Sequence, residues 1–169
     1  MTRTESGKER RIGALTADLS RTLGERQLLN MVLEAVQAAS PDGFSAKELR
    51  SAEFRPQMML TLLSYCYTAS IYGSYDVEWA ISHDKTVRYI CARTYPDWQS
   101  IKRFRRQHRE LLQETIARVL KQAWACKFDA GEADYNGYDW FESELLEQVN
   151  AAATERLDLA ALIDGADSD

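Results

Sequence analysis

Histidine, cysteine and proline are scarce in this 169-residue chain, with two, three and three copies. The histidines, His83 and His108, stand far apart, and Cys66, Cys91 and Cys126 form no CxxC pair and no Cys/His cluster. That spacing argues against a metal site, and no cofactor is expected. An odd number of widely spaced cysteines speaks for three reduced, partly buried thiols in a cytoplasmic protein, not for a disulfide framework. Only eight glycines and three prolines stand beside four Trp, eight Tyr and five Phe, which excludes collagenous and wholly disordered chains. No Gly-rich phosphate loop, GxSxG or HExxH motif occurs, so no nucleophile–base pair is on offer and no catalytic residue is assigned. Met1–Arg11 is polar and charged without an apolar core, so no secretory signal is expected. The charge-free stretch Pro56–Tyr75 is long enough to span a bilayer. Gln57, Thr61, Ser64, Thr68, Ser70, Gly73 and Ser74 interrupt it, however, and it reads as the central helix of a soluble domain with no membrane partner.

What the chain does have is an uneven distribution of charge. The net charge of −5 divides into −1 over residues 1–83, +7 over 84–127 and −11 over 128–169. A whole-chain acidity that by itself argues against nucleic acid therefore conceals a basic middle followed by an acidic end.

The periodicities are helical throughout, and no strand alternation is evident, so the chain is expected to be all-α. Residues 1–13 read as a flexible charged arm and 14–127 as a compact multi-helix domain. Residues 128–169 read as an acidic extension with one helix over Asp139–Ala153 and a disordered end. Leu28, Leu29, Val32, Leu33 and Val36 share one face of a helix over Glu25–Ala39. Ser40-Pro41-Asp42-Gly43 reads as a turn, and Ser45-Ala46-Lys47-Glu48 has the capping-box pattern that starts a short helix. Pro56 suits the first turn of the next helix. Its apolar face holds Met58, Met59, Leu62, Leu63, Cys66 and Ile71, widened by Tyr65, Tyr67 and Tyr72, and Gly73 is the expected stop. Short helices over 76–83 and 86–92 then lead, in a helix-turn-helix-like arrangement, into one long basic helix. Asp97 is its expected N-cap, and it should run to about Lys127 with Ile101, Phe104, His108, Leu111, Leu112, Val119 and Trp124 as its apolar stripe.

The basic helix is the sharpest candidate site. Lys102, Arg105, Arg106 and Arg109 recur at i, i+3, i+4 and i+7 and are expected to share one exposed face, with Arg103 beside them. Such a helix can pack one side into a bundle and offer the other to phosphates. The bland reading is a solvated face partly neutralised by Glu110, Glu114 and the acidic end. The acids Asp129, Glu132, Asp134 and Asp139 lack the spacing of a calcium loop and read as solvated carboxylates. Tyr135, Tyr138, Trp140 and Phe141 read as packing for the last helix.

Three stretches carry a resemblance. They are Arg55-Pro56-Gln57-Met58-Met59-Leu60-Thr61-Leu62-Leu63-Ser64-Tyr65, then Val87-Arg88-Tyr89-Ile90, then Pro96-Asp97-Trp98-Gln99-Ser100-Ile101-Lys102-Arg103-Phe104-Arg105. In this order they resemble the N-terminal domain of bacterial insertion-sequence transposases of the DDE type (InsH-like). The resemblance spans about residues 53–125. It implies a helical domain that helps to bind the ends of a mobile element, and thus a cytoplasmic partner of double-stranded DNA. It also implies a catalytic transposase subunit or a further copy of the chain as a partner. Ser100, Arg103, Arg105 and Arg106 match the family's basic helix, and Lys102 and Arg109 extend it. The family's S-R-x-I segment reads Ser74-Tyr75-Asp76-Val77 here, which removes a cation. Nothing after Phe128 matches the family's first catalytic motif, so no strand-transfer chemistry is expected of this chain. The rival expectation is a helical protein-interaction module in which the acidic end folds over the basic helix and neutralises it.

Overall fold

The computed structural model describes residues 15–39, 43–129 and 142–167. The charged arm over 1–13, most of the turn at Ser40–Gly43, and the acidic and aromatic residues between 130 and 141 lie outside that description. All regular structure among the described residues is helical. In chain order the helices are α1 (Leu19–Leu23), α2 (Glu25–Ala39), α3 (Ala46–Ser51), α4 (Pro56–Thr68), α5 (Ser74–His83), α6 (Lys85–Cys91), α7 (Trp98–Gln107), α8 (Arg109–Asp129) and α9 (Glu142–Asp167).

Helix α4 is the hub. It packs against α2, α6, α7, α8 and α9, and nearly its whole length is buried, from Met59 to Thr68. A helix enclosed in this way must be uncharged, which explains the charge-free run. Its buried threonines are accommodated locally: Thr61 Oγ1 donates to the Gln57 carbonyl at 2.8 Å and Thr68 Oγ1 to that of Ser64 at 2.8 Å. Bonding back to the preceding turn lets a hydroxyl enter a core without a distant partner. No described helix is long and apolar enough to cross a membrane. Helix α4 ends at Thr68, earlier than Gly73: Ser70 takes φ 61° and the Ile71 N–H closes on the Cys66 carbonyl at 2.8 Å. The left-handed residue that usually is glycine is thus a serine.

Several helix starts follow from local chemistry. Ser45 and Glu48 form both halves of the capping box, with the Glu48 N–H donating to Ser45 Oγ at 3.1 Å. Asp84 ends α5 and caps α6, accepting from the N–H groups of Thr86 and Val87. Asp97 caps α7, accepting from the Ser100 N–H at 2.8 Å. Helix α2 has the expected bounds, but its buried face is Leu28, Met31, Val32, Ala35, Val36 and Ala39, and Leu33 turns outward.

Two expectations about the second half are corrected. The basic helix is not continuous: His108 leaves helical geometry at φ −119°, ψ 34°, so α7 and α8 are separate. Neither Gly nor Pro marks the break. The His108 ring is instead held by Phe104, at 4.6 Å between centroids, and edge-on by Phe44, at 5.2 Å. The bend lets α7 lie on α5 while α8 runs along α2 and α9. The second correction concerns the acidic end, which is helical to Asp167. Val149, Ala152, Ala153, Leu157 and Ala160 of α9 enter the same core as α4 and α8. Small residues on this face let the helix lie close to α8, so α9 is a structural part of the bundle.

Candidate nucleic-acid interface

Helix α7 has two faces with opposite roles. Ile101, Phe104 and Arg105 are buried, with Pro96 buried just ahead of the cap. Trp98, Gln99, Lys102, Arg103, Arg106 and Gln107 line an open depression of about 560 Å³ on the other side. Their numbers fall at i, i+1, i+4, i+5, i+8 and i+9, which is one side of a helix. Arg103 and Arg106 are exposed, whereas Lys102 is half-buried with its ammonium 6.0 Å from the Trp98 ring centroid. An ammonium at that distance over an indole is within cation–π range, and the indole fixes where the charge sits.

The expected site residues therefore separate. Lys102, Arg103 and Arg106 share the depression. Ser100 lies in the first turn and serves the cap. Hydrogen bonds from its side chain and its N–H, aided by the charge of Arg103, hold the Asp97 carboxyl below the usual aspartate range. Arg109 begins α8 and pairs with Asp158 of α9, both side chains being partly exposed.

Arg105 does not belong to the exposed face. Its side chain is 3% exposed and pairs with Asp164 of α9, itself 3% exposed. The carboxylate of Asp164 also accepts from the Ser74 N–H at 2.8 Å and from Ser74 Oγ at 2.6 Å. Burial pushes the Asp164 carboxyl up, but the bonds from Ser74 and Arg105 outweigh it and hold it below the usual range. Gly73 makes room for this junction. A Cβ there would lie 2.9 Å from Asp76 Oδ2 and 3.1 Å from Ile163 of α9. The sequence did contain a signal for Arg105: with Ile101, Phe104 and His108 it completes the spacing i, i+3, i+4, i+7 of the inward stripe. The partner, on a helix 59 residues later, has no such signal.

The same division applies to the motif positions. In the stretch Arg55–Tyr65, Pro56, Met59, Leu60, Leu62, Leu63 and Tyr65 are buried, and in Pro96–Arg105 the inward positions are Pro96, Ile101, Phe104 and Arg105. These stretches therefore build the hub and the start of α7, and only Trp98, Gln99, Lys102 and Arg103 among them line the depression.

Aromatic side chains of α5 continue from this surface. Tyr75 of α5 stacks on Trp98, with centroids 4.8 Å apart and planes 26° apart. Trp79, one turn further, is 63% exposed and lies parallel to His83 at 4.0 Å. No group of three or more His, Cys, Asp or Glu able to hold a metal occurs among the described residues. Comparison of the chain with family models, with curated proteins and with solved structures returns no match.

Proposed function

We propose that the chain binds double-stranded DNA through the outward face of α7, with Lys102, Arg103 and Arg106 contacting phosphates. The observation that carries this reading is the grouping of these three cations around one open depression, with Gln99 and Gln107 as amide donors and acceptors beside them. Cations on one rigid helix face can follow a phosphate backbone, and amides can reach base edges. The resemblance to transposase N-terminal domains points the same way, toward DNA at the ends of a mobile element and toward a separate catalytic subunit as partner. Arg105 has no part in contact on this reading. It holds α7 to α5 and α9, and so it positions the cations without touching DNA.

The test is a titration of the full chain with duplex DNA at several salt concentrations. Each phosphate contact contributes about 0.9 to the slope of log affinity against log salt. Arg103→Ala combined with Arg106→Ala is expected to weaken binding to all duplexes and to lower that slope by about 2. Equal affinity and slope for the double variant and the wild type would overturn the proposal.

One observation favours a second reading, an interaction module without a DNA role: α9 brings Asp158 to Arg109 and Asp164 to Arg105. On the DNA reading Asp158→Asn removes a negative charge and releases Arg109 as a cation additional to Lys102, Arg103 and Arg106, so duplex binding should tighten. On the module reading neither the wild type nor Asp158→Asn binds duplex DNA, even at low salt.

A further inference from the structure

The outward side of α5 carries Tyr75, Trp79 and His83 at i, i+4 and i+8, so their backbone positions step by about 6 Å along one side of the helix and the three rings form a strip. None of them is needed to bury the helix, because Val77, Ala80 and Ile81 form its inward face. Tyr75 is 43% exposed and Trp79 63% exposed. The strip is nonetheless ordered. His83 Nδ1 lies 2.8 Å from the Trp79 carbonyl, and since a carbonyl only accepts, Nδ1 carries the proton and donates. That bond holds the imidazole flat against the indole, at an interplanar angle of 4°. At the other end Tyr75 stacks on Trp98, and Trp98 lies under the Lys102 ammonium. The aromatic strip thus runs directly into the cationic face of α7. Of the two acids on this stretch of α5, Asp76 turns its carboxylate back to Gly73 at the helix start, and Glu78 is half-buried.

We infer that this strip stacks the unpaired bases of single-stranded DNA whose phosphates run over Lys102, Arg103 and Arg106. The inference rests on the DNA reading of α7 and extends it from duplex to single strand. Its physical basis is that paired bases hide their ring faces in the duplex stack, whereas unpaired bases expose them to any flat aromatic surface. Aromatic platforms beside a cationic track are suited to this, and stacking is tolerant of base identity. The rings are held before any ligand arrives, so little order has to be imposed on binding. An apolar peptide would use the rings but would make no use of the adjacent cations.

The experiment compares the full chain on a blunt duplex and on the same duplex carrying a short single-stranded thymidine tail. The wild type is expected to bind the tailed duplex about tenfold more tightly, as stacking of one or two bases implies. Trp79→Ala, at a ring that touches none of the residues lining the depression, should abolish that advantage while blunt-duplex affinity and melting temperature stay as in the wild type. A second measurement needs no variant: tryptophan emission of the wild type should be quenched further by the tailed duplex than by the blunt one. Equal affinity for both duplexes, an advantage that survives the Trp79→Ala substitution, or identical quenching overturns the inference and leaves the duplex reading standing. Absence of binding to either DNA overturns both.

Discussion

The cysteines show how strongly burial governs chemistry in this bundle. Cys66 lies in the hub helix and Cys91 at the end of α6, both buried, whereas Cys126 is half-exposed. Burial pushes the Cys66 thiol well above its ordinary value, and the nearby Cys91 adds to the effect. Burial also pushes the Cys91 thiol up, to about 11. Only a thiolate reacts quickly with electrophiles, and a raised value keeps both groups protonated near neutral pH. Titration of the folded chain with an aromatic disulfide reagent is therefore expected to label Cys126 fast, and Cys66 and Cys91 only on unfolding. Three equally fast thiols in the native protein would contradict this placement. Their reduced, partly buried state was legible in the sequence, from their number and spacing. Which one faces solvent was not, because Cys126 lies on α8 where the opposing α2 leaves it within 3.7 Å of Gln27 Nε2.

At the scale of single elements, the caps are the best-determined features, since each is a contact between residues two or three apart. Asp97 joins a cap to the candidate site: it starts α7 and stands near Arg103. Asp97→Ala should lower the stability of the chain by about 1 kcal/mol, the usual cost of losing an N-cap. Asp97→Asn should cost less, because the amide oxygen still accepts from the Ser100 N–H. The sign of the pH effect follows from the lowered folded-state value. The stabilisation is fully present above the unfolded aspartate value of about 3.9 and is lost as pH falls through the lower folded value. Denaturant midpoints measured at neutral pH and below pH 4 check both statements, and an Asp97→Ala midpoint equal to the wild type would refute them. The joint at His108 is the opposite case. No local residue ends α7 there, and the bend arises because Phe104 and Phe44 clamp the ring while the two flanking helices pack on different neighbours.

For the whole molecule, two buried arginines tie distant parts of the chain together. Arg156 of α9 donates to the carbonyls of Leu15, Ala17 and Tyr67 and lies 3.3 Å from the Tyr72 hydroxyl, fastening the start of the described chain to the hub. Arg105 and Asp164 fasten α7 to α9, with Ser74 bringing in α5. Removing one member of a buried pair leaves the other charge without compensation, which costs about 3–5 kcal/mol. Asp164→Ala should therefore melt far below the wild type, whereas Asp158→Ala, at the partly exposed pair, should cost about 1 kcal/mol or less. Asp164 also sets part of the acid limb. Its lowered folded-state value means that its contribution persists above about pH 4 and disappears as pH falls through that lower value. Asp164→Asn should accordingly flatten the loss of stability in acid, as read from melting temperatures across that range. A limb of unchanged slope would refute this. Deleting the acidic end would remove Leu157, Ala160 and the partner of Arg105 together, so it would unfold the bundle and could not report on DNA binding.

The sequence by itself determined the helical class, the extent of α2, the capping box, the Asp97 cap and the central charge-free helix. Each of these depends on residues within about two turns of one another, where periodicity and hydrogen-bonding chemistry act alone. It also located the excess of positive charge on the segment that became α7 and α8. Only the tertiary structure decided which of those charges face solvent. Asp164, far along the chain, draws Arg105 inward and Asp158 engages Arg109, so Lys102, Arg103 and Arg106 alone of the expected cations line the depression. It likewise made the acidic end a core helix, because Val149, Ala152, Ala153 and Leu157 gain their burial from α4 and α8. The aromatic strip on α5 was beyond reach of the sequence for the same reason: its rings become a surface only when the inward face of their own helix is filled by other residues.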